Sequence, residues 1–287
     1  MTQKTFFLGL GGQKCGSTWI QAYLNRQEGS DFGRLGEYQV WEHQLGGVFA
    51  RYSVPVPPLR ERLRAGIKTR FGADEPAQHL RWRLQADPEA YFDYFAGLLE
   101  RPGTLRTGDI TPSYAALPAE TLARIRDGFA RRGIAVKAIF SMRDPVDRLR
   151  SHLRMEMEKG RLPLAQDNTD PLRAFYASPE AEARSRYDRT LSALEQVFSP
   201  ADLHLPLFET LFTDAGIAAL ASFAGVPAER GSGTTKVNAR STGSKVPEAL
   251  AAEIAAHYAP VYAAVYARLP NARELWPSAR LLDRPGE

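Results

Sequence analysis

Cysteine is nearly missing from this chain of 287 residues: Cys15 stands alone, so no intrachain disulfide can form and a cysteine-built zinc cluster is excluded. That usage agrees with a reducing compartment. Long apolar runs are missing too. No stretch approaches the roughly 18 residues of a spanning helix. Phe6–Leu10, broken by glycine, is too short for the core of a secretory signal. The expectation is a cytoplasmic protein with no membrane partner. Blocks of consecutive like charge, internal repeats and low-complexity tracts are absent as well, so no polyionic tail or repeat architecture is expected.

What is present is ordinary globular material. Hydrophobic residues make up 44% and charged residues 24%, enough apolar side chains for a substantial core. The formal charge of +4 is compatible with an anionic ligand, but equally with an arginine-rich composition, and decides nothing alone.

Apolar runs and helical periodicities alternate along the chain. Thr5–Leu10 reads as a buried strand, followed by a glycine loop and a helix over 17–24. Further strands are expected at 104–110, 135–141 and 203–208, with Pro206 favouring a sheet edge for the last. Helical patterns cover 89–100, 119–132, a segment beginning near Val146, 187–198 and 217–223. This order predicts an α/β fold: a P-loop-type central parallel β-sheet flanked by helices. It is expected as a single domain over 1–287, with lid insertions at 46–76 and 162–185.

Two segments carry chemistry. Gly11–Gly12–Gln13–Lys14–Cys15–Gly16–Ser17–Thr18 has the outline of a phosphate loop, but its lysine stands three positions before the place a nucleotide-hydrolysing loop needs it. Glycines still let backbone N–H groups converge, and the following helix start favours an anion. The plain alternative is a glycine turn joining strand to helix. The second segment, Ser141–Met142–Arg143–Asp144–Pro145 through Ser151–His152, leaves the interior strand with an arginine suited to bidentate phosphate contact. Its plain alternative is a strand-end turn in which Asp144 caps a helix.

Gly-x-Gln-Lys-x-Gly-Ser-Thr-Trp after an apolar strand resembles the 5′-phosphosulfate loop of sulfotransferases that use 3′-phosphoadenosine 5′-phosphosulfate (PAPS). The likeness is to the branch of bacterial and heparan-sulfate-type enzymes. Arg143 and Ser151, eight residues apart, resemble that family's 3′-phosphate motif. The resemblance implies PAPS as donor, PAP as product, and Lys14 as the group that helps the bridging oxygen leave. Gln13, Cys15, Gly16, Ser17, Thr18 and the Trp19 amide would surround the phosphosulfate. Tyr187 resembles the start of a family helix, and Glu209–Thr210–Leu211 a family turn. Lys236, Asn238, Arg240 and Lys245 resemble the loop that closes over the 3′-phosphate end.

On the acceptor side, Gly36–Glu37–Tyr38–Gln39–Val40–Trp41–Glu42 aligns with a family segment whose glutamate is the proposed catalytic base, a role that passes to Glu37. Asp109–Ile110–Thr111–Pro112–Ser113–Tyr114 aligns with a second segment. Gln39, Glu42, His43, Asp109 and Tyr114 are therefore candidate substrate contacts, with His43 and Asp109 as rival bases. In both segments a family lysine is replaced, by Gly36 and by Ile110. The losses argue against a heavily sulfated polysaccharide and for a small-molecule acceptor. A sulfuryl group carries less charge than a phosphoryl group, so no metal is expected, and no nucleic-acid partner. The competing readings are a P-loop kinase acting on a small molecule with ATP and magnesium, or a non-enzymatic nucleotide- or polyanion-binding module.

Overall fold

The computed structural model describes residues 3–70, 74–161, 170–229, 231, 233 and 246–282, without the side chains of 68–70. The sheet-building residues explain themselves by alternation. In β1 (Thr5–Gly9), Phe6 and Leu8 enter one apolar cluster and Phe7 the other. A strand buried on both faces needs a continuous apolar run, which is what Thr5–Leu10 supplies. The Phe6 ring stacks on Phe129 with centroids 4.0 Å apart and takes Phe95 edge-on at 4.9 Å.

The chain continues through α1 (Ser17–Asn25), α2 (Leu59–Arg70), α3 (Ala77–Ala86), α4 (Pro88–Leu99), β2 (Arg106–Ile110), α5 (Ala119–Ala130) and β3 (Ala135–Ile139). Then follow α6 (Pro145–Glu158), α7 (Pro171–Phe175), α8 (Pro179–Glu182), α9 (Tyr187–Val197), β4 (Leu203–His204), α10 (Phe208–Leu211), α11 (Asp214–Ala224), α12 (Glu248–His257), α13 (Ala259–Tyr266) and α14 (Ala272–Leu275). All strand pairs are parallel, in the order β2-β1-β3-β4. Helices α1 and α11 cover the Phe7 face; α4, α5, α9, α12 and α13 cover the Phe6 face.

Gly9 sits opposite both Ile110 and Ile139, so three strands end level and their loops open on one rim. After β1 the chain builds β2 on one side, then crosses to β3 on the other. Such a change of direction leaves a crevice at the carboxyl end of the central strand, where parallel sheets bind ligands.

The expected fourth strand is shorter than its apolar run. Only Leu203–His204 pairs with β3, at the sheet edge, because Pro206 has no N–H to give. Its carbonyl still accepts from Met142 N at 3.0 Å. The expected insertions carry helices: α2 lies within 46–76, and α7 and α8 within 162–185. Lys236, Asn238, Arg240 and Lys245 lie outside the described residues.

Candidate functional site

The phosphate loop is tied down at its entry. Gly12 N donates to Ser141 O at 2.8 Å, and Cys15 N to Gly12 O at 2.9 Å, so the loops after β1 and β3 lean on each other. No larger residue fits at Gly12: a Cβ there would meet Cys15 Sγ at 2.7 Å and Ser141 O at 3.2 Å. Gly16 opens α1 with φ 92°, the left-handed region that favours glycine. Lys14 also has a left-handed backbone, φ 71°, unusual for a residue with a side chain.

Ser17 and Thr18 hold the first two helical positions, whose amides have no partner within the helix. The Trp19 amide, expected at the phosphate, donates instead to Gly16 O at 3.0 Å. Its ring is buried, stacked on Tyr23 at 5.2 Å between ring centres. Cys15 is fully buried, 3.6 Å from Tyr187 Oη, and burial pushes its thiol up to about 11. It is a packing residue of the loop, not an ionised one. Tyr187 Oη donates to Arg143 O at 3.2 Å, which links the loop to the second segment.

In that segment Asp144 caps α6, accepting from Val146 N at 3.0 Å, and also takes Tyr262 Oη and Ser278 N at 3.0 and 2.9 Å. Pro145 fits the first helical position. The capping alternative is thus realised by Asp144, while its neighbour Arg143 lies over the Phe208 ring at 4.4 Å. Ser151 is carried two turns along α6. Three buried polar atoms around the crevice have no hydrogen-bond partner among the described residues: Gln13 Oε1, Ser141 Oγ and Arg143 Nε. Buried polar atoms are rarely left so. An anion with several oxygens suits a cradle of this kind.

A cavity of about 360 Å³ opens beside the loop, lined by Ser17, Thr18 and Gln21 from α1 and by Gly36, Glu37, Gln39, Arg81 and Ile110. Glu37 is exposed to solvent, yet the protein crowding its carboxyl desolvates it and raises its pKa. Gln39 Nε2, at 3.2 Å, and the charges of Lys159, Arg81 and Arg184 pull the other way. Arg81, which sequence reasoning did not single out, fixes this segment by donating to Tyr38 O and Glu37 O, both at 2.9 Å. Gln85 adds a bond to Gln39 O at 2.6 Å, where the backbone is again left-handed at φ 58°.

The other acceptor-side candidates do not line the cavity. Asp109 is fully buried and accepts from Thr111 Oγ1 at 2.6 Å, Tyr114 Oη at 2.7 Å and Tyr91 Oη at 3.1 Å. Thr111 Oγ1 and Tyr114 Oη in turn accept from Tyr38 N and Val40 N at 3.1 and 3.0 Å. Asp109 is therefore the hub that holds the Glu37 segment in place. Glu42 is buried against Ser113 Oγ at 2.6 Å, and His43 Nδ1 donates to Val40 O at 2.7 Å.

Desolvation dominates both buried carboxyls, pushing Asp109 up to about 6 and Glu42 up to about 7. Because folding raises the Glu42 pKa, the folded chain holds that proton more tightly. The stability this confers is complete below the ordinary value of 4.5 and is lost as pH rises through about 7. Glu42→Gln keeps the neutral form at every pH. Its melting temperature relative to wild type should therefore climb between pH 5 and pH 8 in thermal scans; a constant difference would contradict the assignment.

Among the described residues, His152, Glu156 and Glu180 form the cluster with metal-ligand chemistry. Glu180 Oε1, however, already takes Arg51 and Arg184, each at 2.7 Å. Two guanidinium groups occupy the side from which a cation would bind. The cluster reads as a buried ionic clasp between α6, α8 and the 46–76 segment, with burial pushing His152 down to about 3.

The backbone can now be set against solved structures. A crystal structure of a sulfotransferase from Alicyclobacillus acidocaldarius matches with a TM-score of 0.57 at 19% identity, over 93% of this chain and 96% of that one. The chain has a sulfotransferase fold. A sulfotransferase domain from the Synechococcus PCC 7002 olefin synthase is more distant, with a TM-score of 0.49 and 18% identity over 86% of this chain and 82% of that one. No family model matches the sequence, and no curated protein does. Among the described residues, no helix is long and apolar enough to cross a membrane.

Proposed function

We propose that the chain is an enzyme transferring the sulfuryl group of PAPS to a hydroxyl or amine of a small acceptor, with 1–287 acting as one catalytic unit. The observation that carries this reading is the cavity itself. Its lining includes both Ser17 and Thr18, which follow the Lys14 loop, and Glu37. In-line transfer needs a donor anion site and an acceptor-side base facing each other across such a space.

PAPS would bring a sulfuryl group on a good leaving phosphate. Gln13, Ser141, Arg143 and the amides of Ser17 and Thr18 would hold its anionic oxygens, with Ser151 and Tyr187 completing the frame. Lys14 would balance charge gathering on the leaving oxygen without a metal. Glu37 would take the acceptor proton at its carboxylate, and its raised pKa makes it a stronger base than a glutamate of ordinary pKa. Arg81 and Gln85 hold that carboxylate's backbone in place.

The acceptor class follows from the wall. Gly36 and Ile110, the positions that lack lysine, both line the cavity, which is near the small end of ligand-site volumes. A compact and weakly charged acceptor fits such a site better than a polyanionic chain. Incubation with PAPS and a panel of small alcohols, phenols and amines, read by mass, should show a gain of one sulfuryl group. Strong activity on heparan-type chains with none on small alcohols or phenols would overturn the acceptor class. Arg143→Ala should weaken PAP binding by about 10- to 100-fold, as expected for loss of a charge-assisted phosphate contact. Unchanged PAP affinity by calorimetry would remove Arg143 from the donor site.

A further inference from the structure

Helix α2 has its amphipathic pattern turned outward. Its inward side is marked by Ala65, which is buried, and by Arg62, whose guanidinium lies over the Trp82 ring of α3 at 5.6 Å. Leu59, Leu63 and Ile67, spaced to form one stripe, are 61%, 60% and 58% exposed, and Val56 just ahead of the helix is 69% exposed. At 100° per residue Leu63 stands about 200° from Ala65, so the stripe faces away from the fold. A surface helix ordinarily buries its apolar stripe. Exposed Arg60 and Arg64 flank the stripe, and Glu61 is the single acidic residue of the helix.

We propose that α2 docks the protein peripherally on an anionic lipid bilayer surface. Leu59, Leu63 and Ile67 enter the boundary between headgroups and acyl chains, and Arg60 and Arg64 meet the anionic headgroups. A basic polar side beside a short apolar stripe is the chemistry of interfacial helices. A second copy of the chain fits less well, because an isologous contact would bring the arginines of two α2 helices together. A folded acidic protein also fits less well: a stable protein interface buries about 800 Å² on each partner, more than one stripe offers. The lack of a spanning run, from which no membrane partner was expected, does not bear on surface attachment.

The test is co-sedimentation of the full chain with vesicles of phosphatidylcholine, alone or mixed with phosphatidylglycerol. The proposal expects pelleting with the mixed vesicles only, weakened by salt. Leu63→Glu/Ile67→Glu and, separately, Arg60→Glu/Arg64→Glu should each lose more than tenfold in binding, with melting temperature and PAP affinity unchanged. Equal binding to both vesicle types, no vesicle binding, or full binding by Leu63→Glu/Ile67→Glu would overturn the proposal. A dimer in lipid-free buffer that Leu63→Glu/Ile67→Glu abolishes would give the stripe to a second copy instead. Saturable binding of an acidic amphipathic peptide without vesicle binding would give it to a protein.

Discussion

Lys14→Met is expected to lower turnover with PAPS by about 10²- to 10³-fold, the usual loss when a preorganised charge is removed from a developing anion. PAP affinity should fall far less, because the lysine matters most where charge gathers during transfer. The backbone sets Lys14 apart from its neighbours. Holding a side-chain-bearing residue at φ 71° costs about 1–2 kcal/mol, and the loop keeps lysine there rather than glycine. Lys14→Gly relieves the strain and deletes the charge. It should melt no lower than wild type while being as inactive as the methionine variant. A fully active Lys14→Gly enzyme would remove Lys14 from the chemistry.

Glu37→Gln is expected to lower turnover by about 10²- to 10⁴-fold while PAP binding survives. The pH profile gives the sharper readout. A base must be ionised to act, and desolvation has raised the Glu37 pKa. The acid limb of kcat/KM should therefore lie at higher pH than an ordinary glutamate gives, and the limb should vanish in the glutamine variant. Asp109 and Glu42 titrate at about 6 and about 7, but both are buried and neither lines the cavity. Glu42→Gln should accordingly keep most of the turnover and the acid limb. The reverse pattern, with Glu42→Gln inactive and Glu37→Gln active, would move the base to Glu42.

The local shape of the Lys14 loop and the Arg143 turn was legible because its requirements are backbone requirements. Gly12 and Gly16 stand where a Cβ or an ordinary φ is forbidden, and Pro145 and Asp144 form a helix start readable in any context. Strands β1 and β3 were legible for a similar reason, since burial on both faces favours a nearly continuous apolar run; β2, Arg106–Ile110, has no such run. The acceptor side was harder. Asp109 and Ile110 are adjacent, but pleating sends them to opposite faces: Ile110 lines the cavity while Asp109 turns to Tyr91 and Tyr114. Motif alignment gives the segment without saying which neighbour faces the space.

Arg81 and Gln85 gave no local signal at all. They lie on α3, among arginines and with Leu80 and Leu84 as its buried apolar residues, and their work is to reach carbonyls 43 to 46 residues away. Contacts of that range are set by how α3 packs, which no short pattern records. Helix α2 escaped notice because charged residues dominate its sequence and only Leu59, Leu63 and Ile67 mark the stripe.

Calorimetric titration with PAP in magnesium-free buffer decides whether the Lys14 loop is a PAPS site. A PAPS site binds PAP saturably and one-to-one, without help from magnesium and more weakly in Arg143→Ala. No heat with PAP, together with saturable binding of ATP that requires magnesium, would contradict it and make the crevice that of a kinase.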